Sequence, residues 1–167
     1  MAAATLTGLA PLVSPATRVL ILGSFPGARS LQTQQYYGHP QNQFWKILQA
    51  ILPSSRRGIC GDSYENRSAW LLEQGLGLWD VYASCEREGS LDSAIRNAVP
   101  NDIAALHLPQ LQAIAHNGGE SVKHARHTRT LGVAVYQLPS TSPVNASWTF
   151  ARKLAAWREV MERDGFD

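Results

Sequence analysis

Short apolar runs alternate along this chain with stretches whose apolar residues recur at helical spacing. The first run, RVLILGS (Arg18–Ser24), has no polar break and ends in a Gly/Pro turn. That pattern predicts a strand buried on both faces. From Asn42 to Leu52, Phe44, Ile47, Leu48 and Ile51 fall on one helical face, and Pro53 is placed to end the helix. SSRRGICGDS reads as a loop, and Glu65–Gln74 as a second helix closed by Gly75. LGLWDVYAS (Leu76–Ser84) predicts a second strand, followed by a polar excursion in which Asn101 or Asp102 caps a short helix to Leu108. LQAIAHNGG (Leu111–Gly119) and LGVAVYQLPS (Leu131–Ser140) predict strands three and four, with a helix between them around Ser121–His127. The last helix runs from about Trp148 to Met161, with Phe150, Leu154, Trp157 and Val160 at helical intervals. Strands separated by helices imply an α/β fold: a three-layer α/β/α sandwich around a small, mainly four-stranded parallel sheet. With no repeat, linker or low-complexity tract, residues 1–167 read as one domain.

Composition narrows the picture. At 167 residues the chain is long enough to bury a core without staples. A net charge of +2 does not by itself announce a nucleic-acid ligand, although a local patch can act where net charge hides it. The two cysteines, Cys60 and Cys85, are far apart, which predicts reduced thiols and leaves no ligand set for a four-cysteine iron–sulfur cluster. The first residues lack a secretory pattern and no segment has the apolar length of a membrane span, so the cytoplasm is the expected compartment.

The candidate chemistry clusters at the predicted strand ends, where α/β sheets build their sites. Gly23-Ser24-Phe25-Pro26-Gly27 is neither a phosphate-binding P-loop nor a dinucleotide fingerprint. Alone it reads as a strand-end turn. It is followed by Gln34-Gln35-Tyr36-Tyr37-Gly38-His39-Pro40-Gln41-Asn42-Gln43-Phe44-Trp45. Together the two segments resemble the mismatch-type branch of the uracil-DNA glycosylase superfamily, with its small-Asn-Pro-Gly turn and later His-Pro-x-Asn-x-Phe-Trp run. The resemblance is closest to the hypoxanthine-DNA glycosylases and spans about residues 18–157.

That resemblance implies a monofunctional enzyme that flips a deaminated base, hypoxanthine first, out of damaged DNA. Water then hydrolyses the N-glycosidic bond, with no cofactor, metal or iron–sulfur cluster and the protein acting as a monomer. Ser24 is read at the place of the mismatch enzymes' water-activating Asn; the hypoxanthine branch is similar in this respect, and the resemblance implies that the Asn of the His-Pro-x-Asn run, Asn42, positions the water. On its own Asn42 reads as a helix N-cap, a role compatible with catalysis. Tyr37 is the expected stacking aromatic, and Phe25 is a second candidate that also suits packing under the turn. Asp80 is placed to read the base edge, its alternative being a salt bridge with Arg87 or Arg96. Asn117 is placed to touch base or backbone, its alternative being a turn. Gly23, Pro26, Gly27 and His39 are expected to approach the DNA. In Pro139–Ser147, Ser140 and Ser142 are phosphate candidates and Val144 the apolar plug for the emptied stack. The basic residues between Lys123 and Arg129 suit either the DNA backbone or a solvated helix end. Lys46 and Lys153 are expected on the surface. Three rival functions remain: a catalytically silent DNA-binding module, a uracil-excising mismatch glycosylase, and a hydrolase of free nucleosides.

Overall fold

The computed structural model describes residues 4–52, 63–145 and 147–163. In chain order the elements are β1 (Thr5–Thr7), β2 (Val19–Gly23), α1 (Ala28–Thr33), α2 (Phe44–Ile51), α3 (Tyr64–Glu73), β3 (Leu76–Asp80), β4 (Tyr82–Glu86) and β5 (Arg96–Pro100). They continue with β6 (Ala113–Asn117), α4 (Gly119–Val122), α5 (Ala125–Thr128), β7 (Ala134–Leu138) and α6 (Phe150–Arg163). The expected parallel sheet is present, in the order β3-β2-β6-β7. Its central strands β2 and β6 are buried at every residue, as an unbroken apolar run demands.

Alternation along β2 divides the core. Val19 and Ile21 face the layer of α2, α3 and α6, where Phe44, Ile47, Leu71 and Trp157 are fully buried. Leu20 and Leu22 face the opposite layer. That second layer differs from the expected one. It holds α4 and α5, but also a three-stranded antiparallel sheet in the order β1-β4-β5. The segment LGLWDVYAS is therefore two strands. Val81 N–H and Tyr82 N–H still bond to Gly23 O and Ser24 O, and the chain then leaves β2 to pair with β1 and β5. The polar excursion contains β5, an exposed strand with two register shifts against β4.

The helix boundaries also carry lessons. α3 is followed by Gly75 at φ +82, and α2 buries the predicted face, whereas Pro53 and the SSRRGICGDS loop up to Asp62 lie outside the described residues. The short helix after Asp102 is a 3-10 turn over Ile103–Leu106, and the helix around Ser121–His127 is two pieces. α1 has only Ser30 buried and so shows no apolar stripe. In α6, Thr149 caps the start, its Oγ1 accepting from Arg152 N–H at 3.2 Å. Lys153 is 2 % exposed, contrary to the surface position expected for it, while Phe150 turns outward.

His116 explains how the second layer is fastened. Its Nδ1 lies 2.8 Å from Ser121 Oγ and its Nε2 2.9 Å from Thr128 Oγ1. Ser121 Oγ also donates to Leu22 O at 2.7 Å, whereas the Thr128 hydroxyl is 3.2 Å from Ala125 O. Keeping the shorter of these carbonyl bonds assigns the ring proton to Nδ1. Burial lowers the His116 pKa to about 4, so the ring is neutral.

Candidate active site at the carboxyl ends of the parallel strands

β2 leads to β3 on one side, and the chain later returns to β6 on the other. This reversal is a topological switch point, and the crevice beyond such strand ends is where open α/β sheets bind ligands. Gly23 is paired with Asp80, and Asn117 follows the His116 that pairs with Leu22. Three of the expected site residues thus end adjacent strands.

Gly23 is required by space. A Cβ there would lie 2.6 Å from Asp80 Oδ1 and 3.3 Å from Tyr37 Oη. Asp80 is 5 % exposed and its Oδ2 has no hydrogen-bond partner among the described residues. Burial, reinforced by the charge of Asp92 and opposed by Arg87, pushes its carboxyl up to about 7. Neither proposed salt-bridge partner takes it: Arg87 bonds to the carbonyls of Gly89 and Pro26, and Arg96 to those of Ser93 and Ile95. Asn101 Nδ2 instead holds the Asp80 backbone carbonyl at 2.9 Å.

Asn117 fastens the frame. Its Nδ2 donates to Tyr37 Oη and to Thr141 Oγ1, each at 3.1 Å, and its Oδ1 accepts from Thr141 N–H at 3.1 Å. Tyr37 sits at φ +53 and stacks on Phe44 with centroids 4.0 Å apart. Phe44 is wholly buried, so a core residue of α2 sets the plane of the Tyr37 ring.

Asn42 caps α2: its Oδ1 accepts from Phe44 N–H at 3.0 Å. An amide oxygen has two lone pairs, so capping fixes its direction and leaves one for a water. The next residue, Gln43, donates its N–H to Thr141 O at 3.0 Å. Asn42 is thereby tied through Thr141 and Asn117 to Tyr37. His39 is exposed, and its Nδ1 accepts from Gln41 N–H within the turn.

The loop after β7 joins the same frame. Ser140 Oγ accepts from Ser142 N–H and Ser142 Oγ from Val144 N–H, so both hydroxyl protons are available to donate outward. Lys153 Nζ donates to Gln43 Oε1 at 2.9 Å and to Ser142 O at 3.3 Å. Desolvation lowers its pKa. It is a buried clasp between α2, α6 and this loop. Val144 is 67 % exposed on the loop.

The turn after β2 departs from the expected reading. The residue directly before Pro26-Gly27 is Phe25, so Phe25 and not Ser24 stands at the Asn of a small-Asn-Pro-Gly register. Phe25 is 6 % exposed and belongs to the second core cluster, beneath the Arg87 guanidinium at 5.3 Å. It is packing, not an open stacking face. Pro26 is also buried, and its carbonyl accepts from Arg87 Nη2 at 2.8 Å. Gly27 opens α1 in ordinary extended geometry. Ser24 Oγ donates to Asp92 Oδ1 at 2.6 Å.

The sequence reading missed Asp92, Thr141 and the buried role of Lys153. Nothing in the spacing of SLDSA marks Asp92, because its partner is 68 residues away. The basic cluster resolves into local contacts: Lys123 pairs with Glu120 at 3.0 Å, and His124 sits edge-on to Tyr82. A cavity of about 280 Å³ lies beside it, lined by Val81, Asn101, Asp102, His124 and His127 among others, apart from the row of Gly23, Asp80 and Asn117.

A buried carboxylate, a ring held by stacking and a hydroxyl-bearing loop thus meet at the switch point of an α/β domain. Comparison makes the class specific: the sequence pattern described as Uracil DNA glycosylase superfamily matches residues 10–161, and the chain belongs to that superfamily. A hypoxanthine DNA glycosylase of Methanosarcina barkeri is 35 % identical over 158 residues, covering 93 % of this chain and 98 % of that protein. A hypoxanthine DNA glycosylase of Methanosarcina acetivorans is 33 % identical over 155 residues, covering 92 % and 96 %. A candidate uracil DNA glycosylase from Methanosarcina acetivorans, solved by NMR, superposes with a TM-score of 0.80 at 31 % identity, covering 94 % of this chain and 99 % of that one. No helix among the described residues is long and apolar enough to cross a membrane.

Proposed function

We propose that this protein is a monofunctional DNA glycosylase that excises hypoxanthine from damaged DNA, acting in the cytoplasm as a monomer without metal or iron–sulfur cluster. The observation that carries the reading is the unpartnered Oδ2 of buried Asp80, beside Gly23 and Tyr37. A buried acceptor without a donor is costly in the free protein, and a flipped base supplies the donor. Hypoxanthine presents N1–H to Asp80, with Tyr37 stacking on its face. Ser140 and Ser142 donate to phosphate, and Val144 fills the emptied stack. Asn42 holds the water that attacks C1′ as the bond to the base breaks. The names of the two Methanosarcina relatives support hypoxanthine as the first substrate.

Uracil is a second substrate candidate, because its N3–H and O4 repeat the donor–acceptor edge of N1–H and O6. Alkali-induced strand scission of matched oligonucleotides carrying hypoxanthine, uracil or no lesion tests the reading. Cleavage is expected mainly at hypoxanthine. Cleavage at uracil alone points to the mismatch type of enzyme. Binding without cleavage of any strand points to a silent module, and cleavage of free inosine to a nucleoside hydrolase.

A further inference from the structure

Hydrolysis of an N-glycosidic bond is accelerated by a group that receives the proton of the attacking water. Asn42 orients a water but, as a neutral amide, takes no proton. The turn after β2 offers no base of its own, since Phe25 lies in the core and Ser24 is a hydroxyl. A carboxylate nevertheless reaches this turn, from the connection between β4 and β5. Three bonds fix that connection to it: Arg87 Nη2 to Pro26 O at 2.8 Å, Ala28 N–H to Ser90 Oγ at 2.9 Å, and Ser24 Oγ to Asp92 Oδ1 at 2.6 Å.

The direction of the last bond decides what it does. Ser24 gives its proton to Asp92, so the lone pairs of Ser24 Oγ are open to a water O–H. At the end of β2, Gly23 meets Asp80, and the next residue, Ser24, sits in a bend and meets Asp92, whose charge reaches Asp80. Asp80 Oδ2, buried and unpartnered, marks the base side. The Ser24–Asp92 pair lies one residue further along, and Asp92 is exposed to solvent.

We propose that Ser24 and Asp92 form a proton relay, so that the catalytic base comes from the β4–β5 connection and not from the turn. Water oxygen bonds to C1′ and the C1′–N9 electron pair leaves with the purine. The water proton passes to Ser24 Oγ as the Ser24 proton passes to Asp92 Oδ1. The purine anion takes a proton from solvent, and Asp92 releases to solvent the proton it received, which restores the pair. Partial desolvation raises the Asp92 pKa, which strengthens it as a base, and the Ser24 hydrogen bond opposes this. Glu120 raises it further, Arg87 and Lys123 lower it, and Asp80 is the other carboxyl in its neighbourhood.

The relay rests on the glycosylase reading, and one experiment separates their failures. Single-turnover excision of hypoxanthine is measured against pH for the wild type, Asp92→Asn, Ser24→Ala and the double variant, alongside DNA affinity and thermal unfolding. Asn keeps an acceptor for the Ser24 hydroxyl but is no base. Each single variant is expected to lose about 10²-fold in rate, and the double variant no more than either single one, as members of one unit do. Asp92→Asn also loses the Asp92 part of the acid limb and keeps the part that Asp80, raised to about 7, imposes, with DNA affinity and melting unchanged. An Asp92→Asn protein within threefold of the wild type, with the same acid limb, overturns the relay alone. A wild type that releases no base overturns the function on which it rests.

Discussion

At the scale of single residues, the site depends on how closely side chains approach one glycine. Gly23→Ala sets a methyl 2.6 Å from Asp80 Oδ1. We expect it to destabilise the fold by about 1–3 kcal/mol and to remove excision, checked by urea unfolding and strand scission. Asn42→Ala removes a helix cap, at about 1 kcal/mol, and with it about 10² in excision rate. Asn42→Asp keeps the cap, so comparing the two in single turnover separates folding from chemistry. Asp80 and His116 give opposite pH dependences. The raised Asp80 pKa means the folded protein binds more protons there than the unfolded chain, so its contribution weakens as pH rises from about 4 to about 7. The lowered His116 pKa does the reverse, with stability lost as pH falls from 6.5 towards about 4. The two windows overlap and offset one another. Asp80→Asn exposes the His116 contribution: melting temperature between pH 4 and 6.5 should rise more steeply with pH than in the wild type. Parallel profiles would contradict the assignment.

At the scale of elements, α2 joins core to chemistry. Its first residue, Phe44, is both a buried core residue and the platform for Tyr37, while Asn42 and Gln43 just before it hold the helix cap and the Lys153 clasp. Phe44→Leu should therefore lower excision by more than its modest destabilisation explains, measured as rate at a temperature where the variant is fully folded. This part was legible from the sequence, because helical spacing at Phe44, Ile47, Leu48 and Ile51 survives folding unchanged. The second layer was not. β5 reads as polar because it is an exposed strand, and LGLWDVYAS reads as one strand because an apolar run does not record a change of pairing partner. Lys153 was misplaced for a related reason. Periodicity puts lysine outside, but here Gln43 and Ser142 receive its ammonium inside.

At the scale of the whole molecule, the parallel sheet brings together residues from four distant segments. The ends of β2, β3 and β6 supply Gly23, Asp80 and Asn117, and the loop after β7 closes on them through Thr141. The strand-end residues were legible because an apolar run ending in Gly, Asp or Asn predicts both the strand and its exit. Asp92 was not, because only the antiparallel sheet packed on the second face carries it to Ser24. The central claim is hydrolysis by water at C1′, and it is tested most directly by isotope labelling. A hypoxanthine-containing duplex is incubated with the protein in H₂¹⁸O and the products are weighed by mass spectrometry. The account predicts free hypoxanthine without label and an abasic strand carrying one ¹⁸O. Release of intact nucleoside, or a strand joined covalently to the protein, would contradict it.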